Sequence, residues 1–168
     1  SKIRSFEVGP ETAATPLTER NERYGHADLQ HPRLWLNQDR IRSFRKELQE
    51  NRFYCEFETF FQRSVLPRVE MGMPAEPKRY PNDQRVLALW RQNYMDCQEA
   101  LCYIRSFSVA GVLAENSNLL SLAKSALLEL ASWDAEGSTA RSYNDECAFR
   151  VAYALAFGYD WLYESLSD

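Results

Sequence analysis

The residues of this 168-residue chain with a capacity for chemistry are arginines, asparagines, glutamines and tyrosines, gathered at helix ends and beside apolar stripes. The tightest group is Arg141, Tyr143, Asn144, Asp145 and Glu146, which stands directly before the apolar run Cys147 to Leu162. Such a set binds anions and sugars well, because a guanidinium grips a carboxylate with two parallel hydrogen bonds. It does not by itself supply an acid and a base. Histidine is scarce: His26 and His31 are the only two, and both precede the helical core. No HExxH, P-loop, GxSxG or dinucleotide fingerprint occurs, so no metal and no cofactor is expected. Cys55, Cys97, Cys102 and Cys147 form no CxxC pair and have no histidine near them in sequence. They read as free, buried thiols rather than nucleophiles, a disulfide framework or a zinc site.

Helices must position these residues. The run from Cys147 to Leu162 carries only Arg150 and Asp160 as charges, and a helix so apolar on nearly every face is predicted to be buried. Asn144 or Asp145 suits its N-cap, and Asp145 and Glu146 suit the positive end of its dipole. On spacing alone the polar group does no more than cap and pair, with Glu146 and Arg150 at i, i+4. Upstream, Asn37 caps a helix over 38–49 with Ile41, Phe44 and Leu48 on one face. A second helix over 52–66 carries the aromatic stripe Phe53, Phe57, Phe60 and Phe61 and is stopped by Pro67. A proline-containing loop, 70–82, places Lys78, Arg79 and Tyr80 next to the third helix. That helix, 83–110, is capped by Asn82 and ended by Gly111. Its core stripe is Val86, Trp90, Cys97, Leu101 and Ile104, with Arg91, Gln98 and Arg105 beside that stripe. The fourth, 118–133, buries Leu119, Leu122, Ala123, Ala126, Leu127 and Leu130. The fifth covers 144–163, and Ser165 opens a further cap. Residues 1–8 read as a short strand and 9–30 as a polar linker. The predicted fold is all-α, an array of antiparallel helical hairpins.

Composition narrows the function. At 45% hydrophobic and 13% aromatic, most of the chain builds a core. The net charge of -4 argues against a general affinity for nucleic acid, so an acidic ligand needs a local basic pocket. No apolar run is long enough for a membrane span, and no signal peptide is visible. The chain begins at Ser1 without a methionine, which leaves a removed leader open.

Three stretches carry a resemblance: HPRLWLN, RYPNDQRVLALWRQNYMDCQEALCYIRSFSVAG and SWDAEGSTARSYNDECAFRVAYALAFGYDWLYESLSD. They resemble the N-terminal part of the α/α-toroid of heparinase II/III-like polysaccharide lyases, most nearly polysaccharide lyase family 15, the exolytic alginate and oligoalginate lyases. WRQNYMDCQEA and YNDECAFR are the specific motifs. The resemblance implies that 1–8 is the last strand of a preceding β-sandwich. It implies that 31–168 is the first part of an incomplete toroid, partnered by the rest of its own enzyme chain. It implies a bacterial enzyme and leaves cytoplasm and periplasm both open. The family's basic and acidic groups lie downstream, so no catalytic residue is expected in this segment, which alone should be inactive.

The implied reaction is β-elimination on a uronic acid polymer such as alginate oligomers. The proton on C5 is weakly acidic, and the anion left on its removal must be stabilised by neutralising the neighbouring carboxylate. A base takes the proton and an acid protonates the leaving glycosidic oxygen. By motif match Arg91 is the leading substrate contact, followed by Arg141, Tyr143 and Asn144. Trp90, Asp145, Glu146 and Arg150 are expected to support them, since a carboxylate facing an anionic sugar repels it. Heparin or heparan sulfate is the alternative substrate, and a non-catalytic α-helical binding scaffold the alternative class. The latter lacks the fixed repeat that scaffolds of that kind show.

Overall fold

Three asparagines start three helices in the computed structural model, which describes residues 30–166. Asn37 Oδ1 accepts from Arg40 N at 3.0 Å and opens α1, Gln38–Gln49. Asn116 Oδ1 accepts from Asn118 N and Leu119 N, both at 3.1 Å, and opens α5, Ser117–Ala131. Asn144 Oδ1 accepts from Cys147 N at 3.2 Å and opens α6, Asp145–Trp161. In each case a short side chain satisfies an otherwise free first-turn N–H. Between α1 and α5 come α2, Tyr54–Phe60, a π-helical turn, Phe61–Val65, and α3, Leu66–Met71. Then come a 3₁₀ turn, Pro81–Asp83, and the long α4, Leu87–Leu113. A short α7, Tyr163–Leu166, succeeds α6. The fold is all-α, with no strand among the described residues. The expected strand 1–8 and all but the last residue of the linker 9–30 lie outside them.

α4 is the axis. Its Ile104, Phe107 and Ala110 pack with Ala123, Ala126, Leu127 and Leu130 of α5, with Ala154 of α6, and with Val65 from the π turn. Two glycines set the approach of these helices. A Cβ on Gly111 would lie 2.8 Å from Leu120 Cδ2, and one on Gly158 would lie 2.7 Å from Leu127 Cδ1 and 2.9 Å from Ile104 Cγ2. These contacts fix direction. α5 meets α4 with Leu120 at Gly111 and Leu127 near the level of Ile104, so it runs antiparallel. α6 meets α4 with Cys147 at Cys97 and Gly158 at Ile104, so it runs parallel. α1 is fastened across the far end of α4. Arg45 Nε and Nη2 donate to Val112 O at 3.1 and 2.6 Å, a last-turn carbonyl with no helical donor, and Arg45 Nη1 pairs with Glu115 at 3.0 Å.

Several sequence expectations are corrected. Pro67 does not stop the second helix. The π turn lets Leu66 N reach Phe61 O, places Pro67 in the first turn of α3, and moves the stop to Gly72, at φ 75°. Asn82 does not cap α4: it and Asp83 sit at φ 54° and 55° in the 3₁₀ turn, and the helix begins four residues later than 83. Gly111 does not end α4, because what its missing Cβ provides is room for Leu120; the end comes at Leu113, before Glu115 at φ 53°. Ser165 lies within α7 rather than capping a new helix. The aromatic stripe is only partly covered, with Phe53 exposed and Phe57, Phe60 and Phe61 half-buried. Val86 and Leu122 are exposed and Cys55 is an exposed thiol. α6 is buried on one side only. Ala154, Phe157 and Trp161 face the core, while Phe149, Tyr153 and Tyr159 are exposed, because α4 and α5 cover one flank and no described helix covers the other.

Candidate functional site

Parallel packing of α4 and α6 leaves a groove of about 420 Å³ between them, lined by Gln98, Leu101, Arg105, Phe149, Arg150 and Tyr153. Helical periodicity explains the α4 wall. Residues seven apart return to nearly the same face, so Arg91, Gln98 and Arg105 form a row spanning ~21 Å of helix. Arg91 is the exposed head of that row, with Leu87 and Met95 on the same face one turn to either side, and has no hydrogen bond or ion pair among the described residues. On the α6 wall, the Arg150 guanidinium lies 4.1 Å from the Tyr94 ring centroid, and its Nη1 binds Glu146 Oε2 at 2.5 Å and Glu146 O at 3.0 Å. Its Nε is buried with no partner among the described residues. Arg150, expected as a support, therefore forms part of the groove itself.

Above the groove the polar group before α6 grips the loop before α4. Tyr80 N donates to Tyr143 Oη at 2.7 Å, and the two rings stack at 5.0 Å. Asn144 Nδ2 donates to Tyr80 Oη at 3.1 Å, so the buried Asn144 is occupied at both ends and braces the loop. Asn93 Nδ2 donates to Lys78 O at 3.0 Å, and Ser138 Oγ donates to Pro77 O. Arg79 sits 4.3 Å above the Tyr143 ring and pairs with Asp83 at 2.9 Å. The hydrogen bond from Arg79 holds the Asp83 carboxyl below its ordinary value, while burial pushes the Tyr80 phenol up against the hydrogen bond to Asn144. Trp90 stands between Arg85, 4.9 Å from its ring, and Tyr94, stacked at 6.0 Å. Arg141 is exposed beside Ala135, Glu136, Ala140 and Ser142, and Asp145 is exposed at the helix start. Of the residues expected to meet substrate, then, Tyr143 and Asn144 are brought together, Arg91 heads the groove row, and Arg141 stands apart.

Beneath the groove Cys97 and Cys147 are buried beside one another, and their mutual interaction pushes the Cys97 thiol up and the Cys147 thiol down. At the far end His31 folds back onto α6, although it precedes the helices in sequence. Its Nδ1 lies 2.7 Å from Asp160 Oδ1 and its ring stacks on Tyr163 at 4.1 Å. It lines a second cavity with Gln38, Arg45 and Glu164, not the groove. Sequence spacing missed Phe149 and Tyr153 as groove residues, because each sits on a run that periodicity alone assigns to a core.

Among known proteins, no family model and no curated protein sequence matches this chain. Among the described residues no helix is long and apolar enough to cross a membrane.

Proposed function

We propose that this chain is a segment of a polysaccharide lyase that cleaves uronic-acid-containing polysaccharide, of the alginate oligomer type, by β-elimination. The observation that carries the reading is the groove between α4 and α6, where Arg105, Arg150 and Gln98 stand among Phe149 and Tyr153. Aromatic walls suit the apolar faces of sugar rings, and the guanidinium groups suit their carboxylates. In a chain of net charge -4, Arg105 gives the groove a cation with no acidic partner among the described residues, and Arg150 a second guanidinium shared with Glu146. The sequence resemblance points the same way. A uronate in the groove would have its carboxylate neutralised by arginine, which stabilises the C5 anion as it forms. Arg91, at the head of the row, extends the same contact toward the next sugar. Gln98 supplies an amide to ring hydroxyls. The proton-transferring groups are placed elsewhere in the intact enzyme, since the described His31 lines the second cavity and not the groove.

The test is a screen of the full-length protein on alginate oligomers and on heparan sulfate, tracking the absorbance of the new C4–C5 double bond. Double-bond formation from alginate oligomers is the expected result. Activity on heparan sulfate alone would move the substrate to sulfated chains. Binding without double-bond formation would leave a carbohydrate-binding scaffold, and neither binding nor reaction would remove the reading.

A further inference from the structure

Trp35 is held in a backbone conformation that a tryptophan adopts only under constraint. Its φ is 72°, and Leu36 N donates to Leu34 O at 2.9 Å, which closes a γ-turn of the rare, strained hand around it. Buried groups of α6 impose this turn. Asp160 Oδ2 accepts from Arg33 N and from Leu34 N, both at 2.8 Å, and Trp161 Nε1 donates to Leu34 O at 2.9 Å. Asp160 is itself oriented by His31. Strain of this kind persists where surrounding structure over-determines it, and it gathers at ligand-holding positions.

The product of that constraint is an exposed indole, 61% accessible, despite being the largest apolar side chain of its segment. It is placed against the groove. The Arg105 guanidinium, a groove wall, lies 5.6 Å from its ring centroid. Phe157 lies 4.8 Å away beneath it, and Phe157 in turn meets Tyr153, on the opposite wall, at 6.5 Å. Phe157 thus meets the indole at a tilt and Arg105 lies over the ring, while most of the indole surface stays open at the Arg105 end of the groove.

We infer that Trp35 is a sugar-stacking platform that closes this end of the groove, a subsite for a pyranose ring whose carboxylate is met by Arg105, and that Asp160 and Trp161 position it. The inference rests on the reading of the groove as an acidic-oligosaccharide site. A flat indole offers a pyranose a wide apolar contact for its C–H face, and the Arg105 cation lying over part of the same ring selects an acidic sugar over a neutral one.

The experiment is a calorimetric titration of the full-length protein with uronate oligosaccharides of two to six residues. The parent, Trp35→Ala, Trp35→Phe and Arg150→Gln are compared, with thermal midpoints measured for each. Trp35→Ala should weaken the longer oligomers about tenfold, leave the disaccharide near the parent value, and be rescued in large part by Trp35→Phe. Arg150→Gln should weaken every length. If Arg150→Gln weakens every length while Trp35→Ala matches the parent at every length, the platform is overturned and the groove stands. If no oligomer binds, or if Arg150→Gln changes nothing, the groove reading and the platform fall together.

Discussion

At the scale of single residues, the proposed function rests on arginine geometry. Arg91 has no internal partner among the described residues, so its replacement tests ligand contact with little structural noise. A charge-assisted contact contributes about 1.5–3 kcal/mol, so under the proposed lyase function Arg91→Ala in the full-length protein should lower kcat/KM on alginate oligomers by about tenfold to a hundredfold. Arg91→Lys should recover only part, because a point charge cannot reproduce the planar fork. Parent-like kinetics in both variants would make Arg91 a plain surface residue. Trp35 offers a second test through stability. Glycine tolerates positive φ where alanine does not, so Trp35→Gly should be more stable than Trp35→Ala by about 1 kcal/mol in chemical denaturation. The reverse order would remove the strain. Asp83 sets a pH dependence. Its carboxyl is held below the ordinary aspartate value by Arg79, so its contribution is complete above that ordinary value and is lost as pH falls through the lowered folded one. Thermal midpoints of the parent should therefore fall more steeply on the acid side than those of Asp83→Asn.

Among the elements, helix starts were more readable than helix stops. Asn37 and Asn144 cap where the sequence predicts, Asn116 caps without a sequence expectation and Asn82 fails to cap α4, while the spacing of apolar residues located α1, α5 and α6 to within a few residues. Pro67 and Gly111 misled for a shared physical reason: each residue type has a second use. A proline is tolerated in the first turn after a π turn has shifted the hydrogen-bond register. A buried glycine permits close helix approach as readily as it ends a helix. Gly158→Ala should therefore destabilise by about 1–3 kcal/mol, since the new Cβ meets Leu127 and Ile104, outweighing alanine's better helix propensity of about 1 kcal/mol. Equilibrium denaturation measures it, and an unchanged or raised midpoint would show that α4, α5 and α6 are less tightly apposed. The one-sided burial of α6 was not readable, because an exposed aromatic such as Tyr153 has the same residue type and spacing as a core one.

In the whole molecule the groove is a product of assembly. Gln98 and Arg105 come from α4, Phe149, Arg150 and Tyr153 from α6, and Trp35 from the turn before α1. The sequence placed the two arginines of α4 beside a core stripe, and its antiparallel hairpins imply that α6 runs parallel to α4, but it held no signal of the register that sets Arg150 opposite that stripe. The histidine before the helices joins α6 for a similar reason, through a long-range bond to Asp160. The claim on which the rest depends is that this groove takes an acidic oligosaccharide through its arginines. The direct measurement is the equilibrium affinity of the full-length protein for a defined uronate hexasaccharide, compared with the double variant Arg105→Gln, Arg150→Gln. Glutamine keeps the apolar stem and removes the charge. The predicted result is a loss of affinity of about a hundredfold, measured below the thermal midpoint of the variant, which loss of the Glu146 pair and the Tyr94 contact lowers, with added salt weakening the parent far more than the variant. Equal affinity and equal salt dependence in the two proteins would contradict it.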